Sequence, residues 1–208
     1  APGLYTAVLE PQAVTDLIPL LAGALNARNA DEGRSAFSKA GGGTRIGEKI
    51  RHLLQYDRAN GNLAPAAETL LFCASRAQLV AERIRPALAA GKIILTDRFM
   101  DSTTVYQGFG RKLGASAIRP LHEFSLGRCR PDLTFFLMMK PGSSVRRAHR
   151  RGGRFDRMER QRASFYRSIH RGYRALAHRE PGRIKWIRAD RPRQAVHAEI
   201  WKHILKKI

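Results

Sequence analysis

Lys92-Ile93-Ile94-Leu95-Thr96-Asp97-Arg98-Phe99-Met100-Asp101-Ser102 decides the fold. Its first half, KIILT, is short and nearly all apolar, the pattern of a strand buried on both faces. Polar residues follow at once. Asp97 and Arg98 therefore fall at the carboxyl edge of that strand, where α/β proteins place ligands. A guanidinium held there by a neighbouring carboxylate suits a phosphate, because its fork matches two oxygens. Taken alone, Asp-Arg is explained equally well by a surface ion pair. Three more stretches share the apolar character: Tyr5 to Leu9 (YTAVL), Leu133 to Met138 (LTFFLM) and Arg183 to Ile187 (RIKWI). Helical spacing fills the intervals, over Val14 to Asn26, Arg45 to Leu54, Ala66 to Ala90 and Ala115 to Leu126, with a closing helix from Gln194 to Ile208. Strands alternating with helices predict an α/β fold, a parallel sheet with helices on both faces. No repeat, low-complexity tract or long linker divides the chain, so residues 1–208 read as a single domain.

Composition narrows the class. With 208 residues and 43 % apolar content the chain can bury a real core. No apolar run approaches the roughly 20 residues of a membrane helix. Cys73 and Cys129 form neither a disulfide framework nor a CxxC pair, which makes a reducing intracellular compartment the default. A start at Ala1 allows a removed targeting segment, hence an organellar site such as the mitochondrial matrix. The histidines show no metal-ligand spacing, and no metal site is expected from them.

Charge is the unusual quantity. Lys plus Arg number 38 against 17 acids, a net +21. Residues 1–140 carry 18 basic and 12 acidic side chains (+6), leaving 20 and 5 (+15) for residues 141–208. On a helix from Arg160 to His178, Phe165, Ile169, Tyr173 and Leu176 fall within about 80° of one another. Arg160, Arg167, Arg171 and Arg174 fall within about 60° on the opposite face. Arg146, Arg147, Arg150 and Arg151 extend the same basic surface, and no acid interrupts the stripe. Such an array suits a run of phosphates, as in RNA contact.

Four further segments keep company with Asp97-Arg98. They are Gly42-Gly43-Thr44-Arg45-Ile46-Gly47-Glu48-Lys49-Ile50-Arg51, Phe72-Cys73-Ala74-Ser75-Arg76-Ala77-Gln78, Asp101-Ser102-Thr103-Thr104-Val105-Tyr106-Gln107-Gly108, and Arg130-Pro131-Asp132-Leu133-Thr134. In that order and spacing the chain, from about Gly41 to Ile208, resembles bacterial-type thymidylate kinases. The resemblance implies a P-loop kinase fold: about five parallel strands wrapped by helices, with an arginine-rich lid and basic helix over residues 141–180. It implies that Phe72 stacks on thymine, and that Arg76 and Gln107 contact the base or its surroundings. Arg98, beside Asp97, would meet the monophosphate, and Arg150, Arg154 and Arg157 would lie in or near the lid.

The departures fall where chemistry is expected. The family's Gly-rich phosphate loop corresponds to Leu9 to Ala22, which holds neither glycine nor lysine. That stretch is about three residues too short to cradle phosphates with successive N–H groups and a lysine. Acids of the family pattern are replaced by Ala40, Ser75, Met138, Lys140 and Arg188. Fewer carboxylates at strand ends means fewer groups to hold Mg²⁺. From these losses and the charge, the sequence predicts a non-catalytic pseudoenzyme with a degenerate phosphate loop. It would serve as a basic structural or RNA-contacting subunit of a ribonucleoprotein such as an organellar ribosome, needing no cofactor and having RNA as the main partner. A dTMP-like nucleotide is the weaker ligand candidate. Two alternatives stay open. One is a dTMP kinase using ATP and Mg²⁺, with Arg98 at the reacting phosphates; the other is a non-catalytic nucleotide sensor.

Overall fold

The computed structural model describes residues 4–8, 35–38, 43–56, 62–138, 161 and 163–207. Five strands form one parallel sheet: β1 (Leu4–Val8), β2 (Ser35–Ser38), β3 (Ile93–Asp97), β4 (Leu133–Met138) and β5 (Ile184–Arg188), in the order β2-β3-β1-β4-β5. Central β1 sets Ala7 opposite Asp97 of β3. Four strands match the apolar runs of the sequence. The fifth, β2, is only SAFS, too short and mixed to announce itself; pairing along β3 from Ser35–Ile93 to Ser38–Thr96 defines it.

Alternation along the strands divides the core. Ile93 and Leu95 of β3 and Leu133, Phe135 and Leu137 of β4 face α7 (Arg193–Ile204), meeting its Val196, Ile200 and Ile204. On the other face Ile94 packs with Leu79, Ile84, Phe99 and Leu126, while Phe136 packs with Val105 and α6 (Ala163–Arg179). Both faces are covered, which is why the strands read as unbroken apolar runs.

Five more helices complete the described residues. These are α1 (Arg45–Tyr56), α2 (Pro65–Leu79), α3 (Arg85–Ala89), α4 (Met100–Thr103) and α5 (Ala115–Leu126). A π-helical turn, Val80–Ile84, joins α2 to α3, so the predicted Ala66–Ala90 helix is one rod with a bulge. A second π-helical turn, Thr104–Gly110, extends α4. That helical segment is absent from the sequence prediction, because its polar Asp-Ser-Thr-Thr start has no apolar periodicity. Several of its polar groups find partners outside it, as when the Thr104 hydroxyl meets His122 Nε2 at 3.0 Å. The predicted helix over Val14–Asn26 lies outside the described residues, as does Arg160. Among the described residues no helix is long and apolar enough to cross a membrane.

Candidate functional site

Arg98 is the first residue past β3 and has φ of 61°. A bulky residue in the left-handed region is strained, and such strain persists where the surroundings over-determine it. Here the guanidinium lies over the Tyr106 ring, 5.1 Å from its centroid. One face is covered by the ring, and the in-plane N–H fork remains suited to a phosphate. Next to it, Asp97 Oδ1 is buried and has no hydrogen-bond partner among the described residues. Burial pushes this carboxyl up to about 6, against the pull of Arg98 and Arg51.

Arg76 comes from α2. Its Nη2 donates to Thr103 Oγ1 at 3.0 Å, and its carbon centre lies 5.5 Å from the Phe99 ring centroid. Nη1 is buried without a partner among the described residues, and burial lowers the guanidinium's pKa. Arg76 Nη1 is thus a buried donor without an acceptor, and Asp97 Oδ1 a buried acceptor without a donor, each a polar atom that a bound ligand would satisfy. Four residues earlier on α2, half-buried Phe72 shares Arg76's face, and four earlier again lies Glu68. Gln107 meets Glu68 directly, donating through Nε2 at 2.7 Å. The α2 helix and the α4 segment thus run antiparallel with two polar rungs, Arg76–Thr103 and Glu68–Gln107, and Phe72 between them.

All five residues predicted for a nucleotide pocket, Phe72, Arg76, Asp97, Arg98 and Gln107, are described; Arg76, Arg98 and Gln107 make the contacts above, Asp97 holds a buried carboxylate oxygen without a hydrogen bond, and Phe72 lies half-buried on α2. Sequence reasoning passed over two others. Tyr173 reads as a core anchor, yet its hydroxyl is buried with no hydrogen bond among the described residues, as is that of Ser102. Burial raises the Tyr173 pKa and neighbouring Tyr106 adds to that, so it stays a neutral phenol. Glu68 was passed over because an acid in a helical run ordinarily faces water. At the end of β5, Arg188 pairs with Asp190, its Nε donating to Oδ1 at 2.6 Å. No group of three or more His, Cys, Asp or Glu among the described residues is arranged to hold a metal.

The basic surface divides. Arg146, Arg147, Arg150, Arg151, Arg154, Arg157 and Arg160 lie outside the described residues. Arg167, Arg171 and Arg174 are exposed on α6, opposite buried Phe165, Ile169, Tyr173 and Leu176. The helical faces are as predicted.

The thymidylate kinase family model matches residues 20–200. A thymidylate kinase of Chlorobium luteolum is 43 % identical over 180 residues, 82 % of this chain and 83 % of that one. The thymidylate kinase of Desulforudis audaxviator is 39 % identical over 82 % of this chain and 76 % of its own. In three dimensions the crystal structure of thymidylate kinase from Ehrlichia chaffeensis superposes with a TM-score of 0.77 at 25 % identity, covering 98 % of this chain and all of that one.

These likenesses overturn the prediction of a non-catalytic, RNA-binding ribosomal subunit. Such extended identity lies with kinases, and nothing in it points to RNA or a ribonucleoprotein as partner. The expectation that no cofactor is needed rested on that reading and falls with it. The physical reason is visible on α6: a helix anchored by one apolar face must present its other face to water, and arginines there require no nucleic acid. With its parallel β2-β3-β1-β4-β5 sheet, its Asp97-Arg98 edge and these relatives, the chain belongs to the thymidylate kinase family.

Proposed function

We propose that the protein transfers the γ-phosphoryl group of ATP to a phosphate oxygen of dTMP, yielding dTDP and ADP. One observation carries this reading: relatives named thymidylate kinase match 82 % of the chain at 39 and 43 % identity. The site supports it. Arg98, stacked on Tyr106, offers its fork to the monophosphate, and Phe72 offers a ring face to the base. Arg76 Nη1 provides a buried donor in search of an acceptor, which the base or sugar-phosphate would supply. Positioning and charge neutralisation are most of what phosphoryl transfer asks of a protein.

Mg²⁺ fits the orphaned Asp97 Oδ1, which would hold the ion directly or through water. When bound, Mg²⁺ neutralises phosphate charge. Asp97 is held near pH 6 by burial, so at neutral pH it is mostly ionised and ready for a cation. The arginines that the family resemblance assigns to the lid, Arg150, Arg154 and Arg157, would complete the cationic surround. Titration calorimetry with dTMP tests the pocket. Arg98→Met should weaken dTMP binding about 10- to 100-fold, the worth of charge-assisted hydrogen bonds. Unchanged affinity would remove Arg98 from the phosphate site.

A further inference from the structure

Glu68 is an acid at 0 % exposure in the first turn of α2. Burying a carboxylate without compensation is costly, so its partners are informative. Arg111 supplies the charge: its Nε donates to Glu68 Oε1 and its Nη2 to Oε2, each at 3.2 Å. The remaining guanidinium nitrogen, Nη1, donates to Gln161 at 3.0 Å, and the group stacks 5.2 Å from the Phe165 ring centroid. This fork engages both carboxylate oxygens as acceptors, and a carboxylate so held offers a neighbour lone pairs rather than a donor.

The consequence falls on Gln107. Its amide has one donating and one accepting end, and only the donating end can face Glu68, as it does at 2.7 Å. Oε1, the accepting end, is thereby turned away from Glu68. One helical turn earlier on the same segment, Thr103 holds Arg76, whose Nη1 is a donor without a partner among the described residues. An acceptor and a donor therefore flank Phe72 with fixed polarity. The N3–H and adjacent carbonyl of a thymine or uracil edge are the complement of that pair. Cytosine presents the reverse, an N3 acceptor beside an amino donor.

The geometry points to Glu68 as a positioning residue that, with Arg111, locks the Gln107 amide and so sets selectivity for a base carrying N3–H over cytosine. This rests on the dTMP reading above. The test is calorimetric binding of dTMP and of dCMP, without ATP, to wild type and two variants. Glu68→Gln replaces the acceptor with an amide that can also donate, which frees Gln107 to turn. Glu68→Met/Arg111→Met removes both buried charges together, a change such pairs tolerate, and guards against misfolding of the single variant. The expected result is a dTMP-over-dCMP preference that falls about tenfold in folded variants, the worth of one net hydrogen bond. A merely structural role would weaken both nucleotides alike and leave the ratio unchanged; that result overturns the assignment while the dTMP reading stands. Wild type that binds neither nucleotide would overturn both.

Discussion

Arg183, just ahead of β5, grips Asp101 at the start of α4 across 82 residues of sequence, with Nη1 and Nη2 donating at 2.8 and 2.7 Å. Thr134 closes the triangle, donating to Asp101 at 3.0 Å and accepting from Arg183 at 3.0 Å. Arg183 Nε also donates to Glu180 at 2.7 Å. The segment that carries Tyr106 and Gln107 is thus pinned by charge at its start through Asp101 and near its end through Glu68. Removing one member of a buried pair leaves the other uncompensated. Arg183→Met should cost about 3–5 kcal/mol. Asp101→Leu/Arg183→Met should recover most of that loss. Urea denaturation of the three proteins checks both statements, and an additive double variant would deny the coupling.

The same segment meets α6 through a reciprocal close fit. A Cβ on Gly110 would lie 2.5 Å from Phe165 Cε2, and one on Gly172 would lie 2.9 Å from the Phe109 ring. Each phenyl ring occupies the space left by the other side's glycine. Gly110→Ala and Gly172→Ala should each destabilise the fold by about 1–3 kcal/mol through overpacking. Calorimetric melting checks this. Phe165→Leu should lessen the Gly110→Ala penalty, because it removes the ring that the new methyl group strikes.

Two buried groups give opposite pH dependences. Burial holds His122 down to about 3, aided by Arg76 and Arg130, against an ordinary 6.5. Below pH 6.5 the unfolded chain gains a proton here that the folded chain refuses, so stability falls as pH drops toward 3. Asp97 runs the other way: raised from 3.8 to about 6, it contributes stability at low pH that is lost as pH rises through that window. Wild type should therefore lose about 2 kcal/mol relative to His122→Gln between neutral pH and pH ~4.5. Asp97→Asn should raise the melting temperature at pH ~7.5, with the advantage disappearing near pH ~4. Denaturation series at these pH values read both signs.

What a local stretch of sequence reveals of this fold depends on where each residue's partners lie. KIILT and LTFFLM are legible because burial on both faces leaves a strand nearly all apolar, and Asp97-Arg98 is legible because it breaks that run. Ala115–Leu126 is found at its observed limits, since its apolar spacing is regular and Gly127, with φ of 57°, ends it. The helical turn of Thr104–Gly110 is not legible, nor is the role of Glu68. Their stabilising contacts come from 18 to 43 residues away, beyond any local pattern. The faces of α6 follow from periodicity alone, but periodicity cannot say what an exposed arginine is for. Reading a partner into that charge led to RNA, where the relatives lead to a nucleotide.

Catalysis is read out by dTMP-dependent formation of ADP from ATP and Mg²⁺ by the purified, folded protein. Turnover should be about 1–100 s⁻¹, the ordinary range for kinases, with no ADP above background when dTMP is omitted. ADP formation indistinguishable from a protein-free control, in a preparation that melts cooperatively, would contradict it.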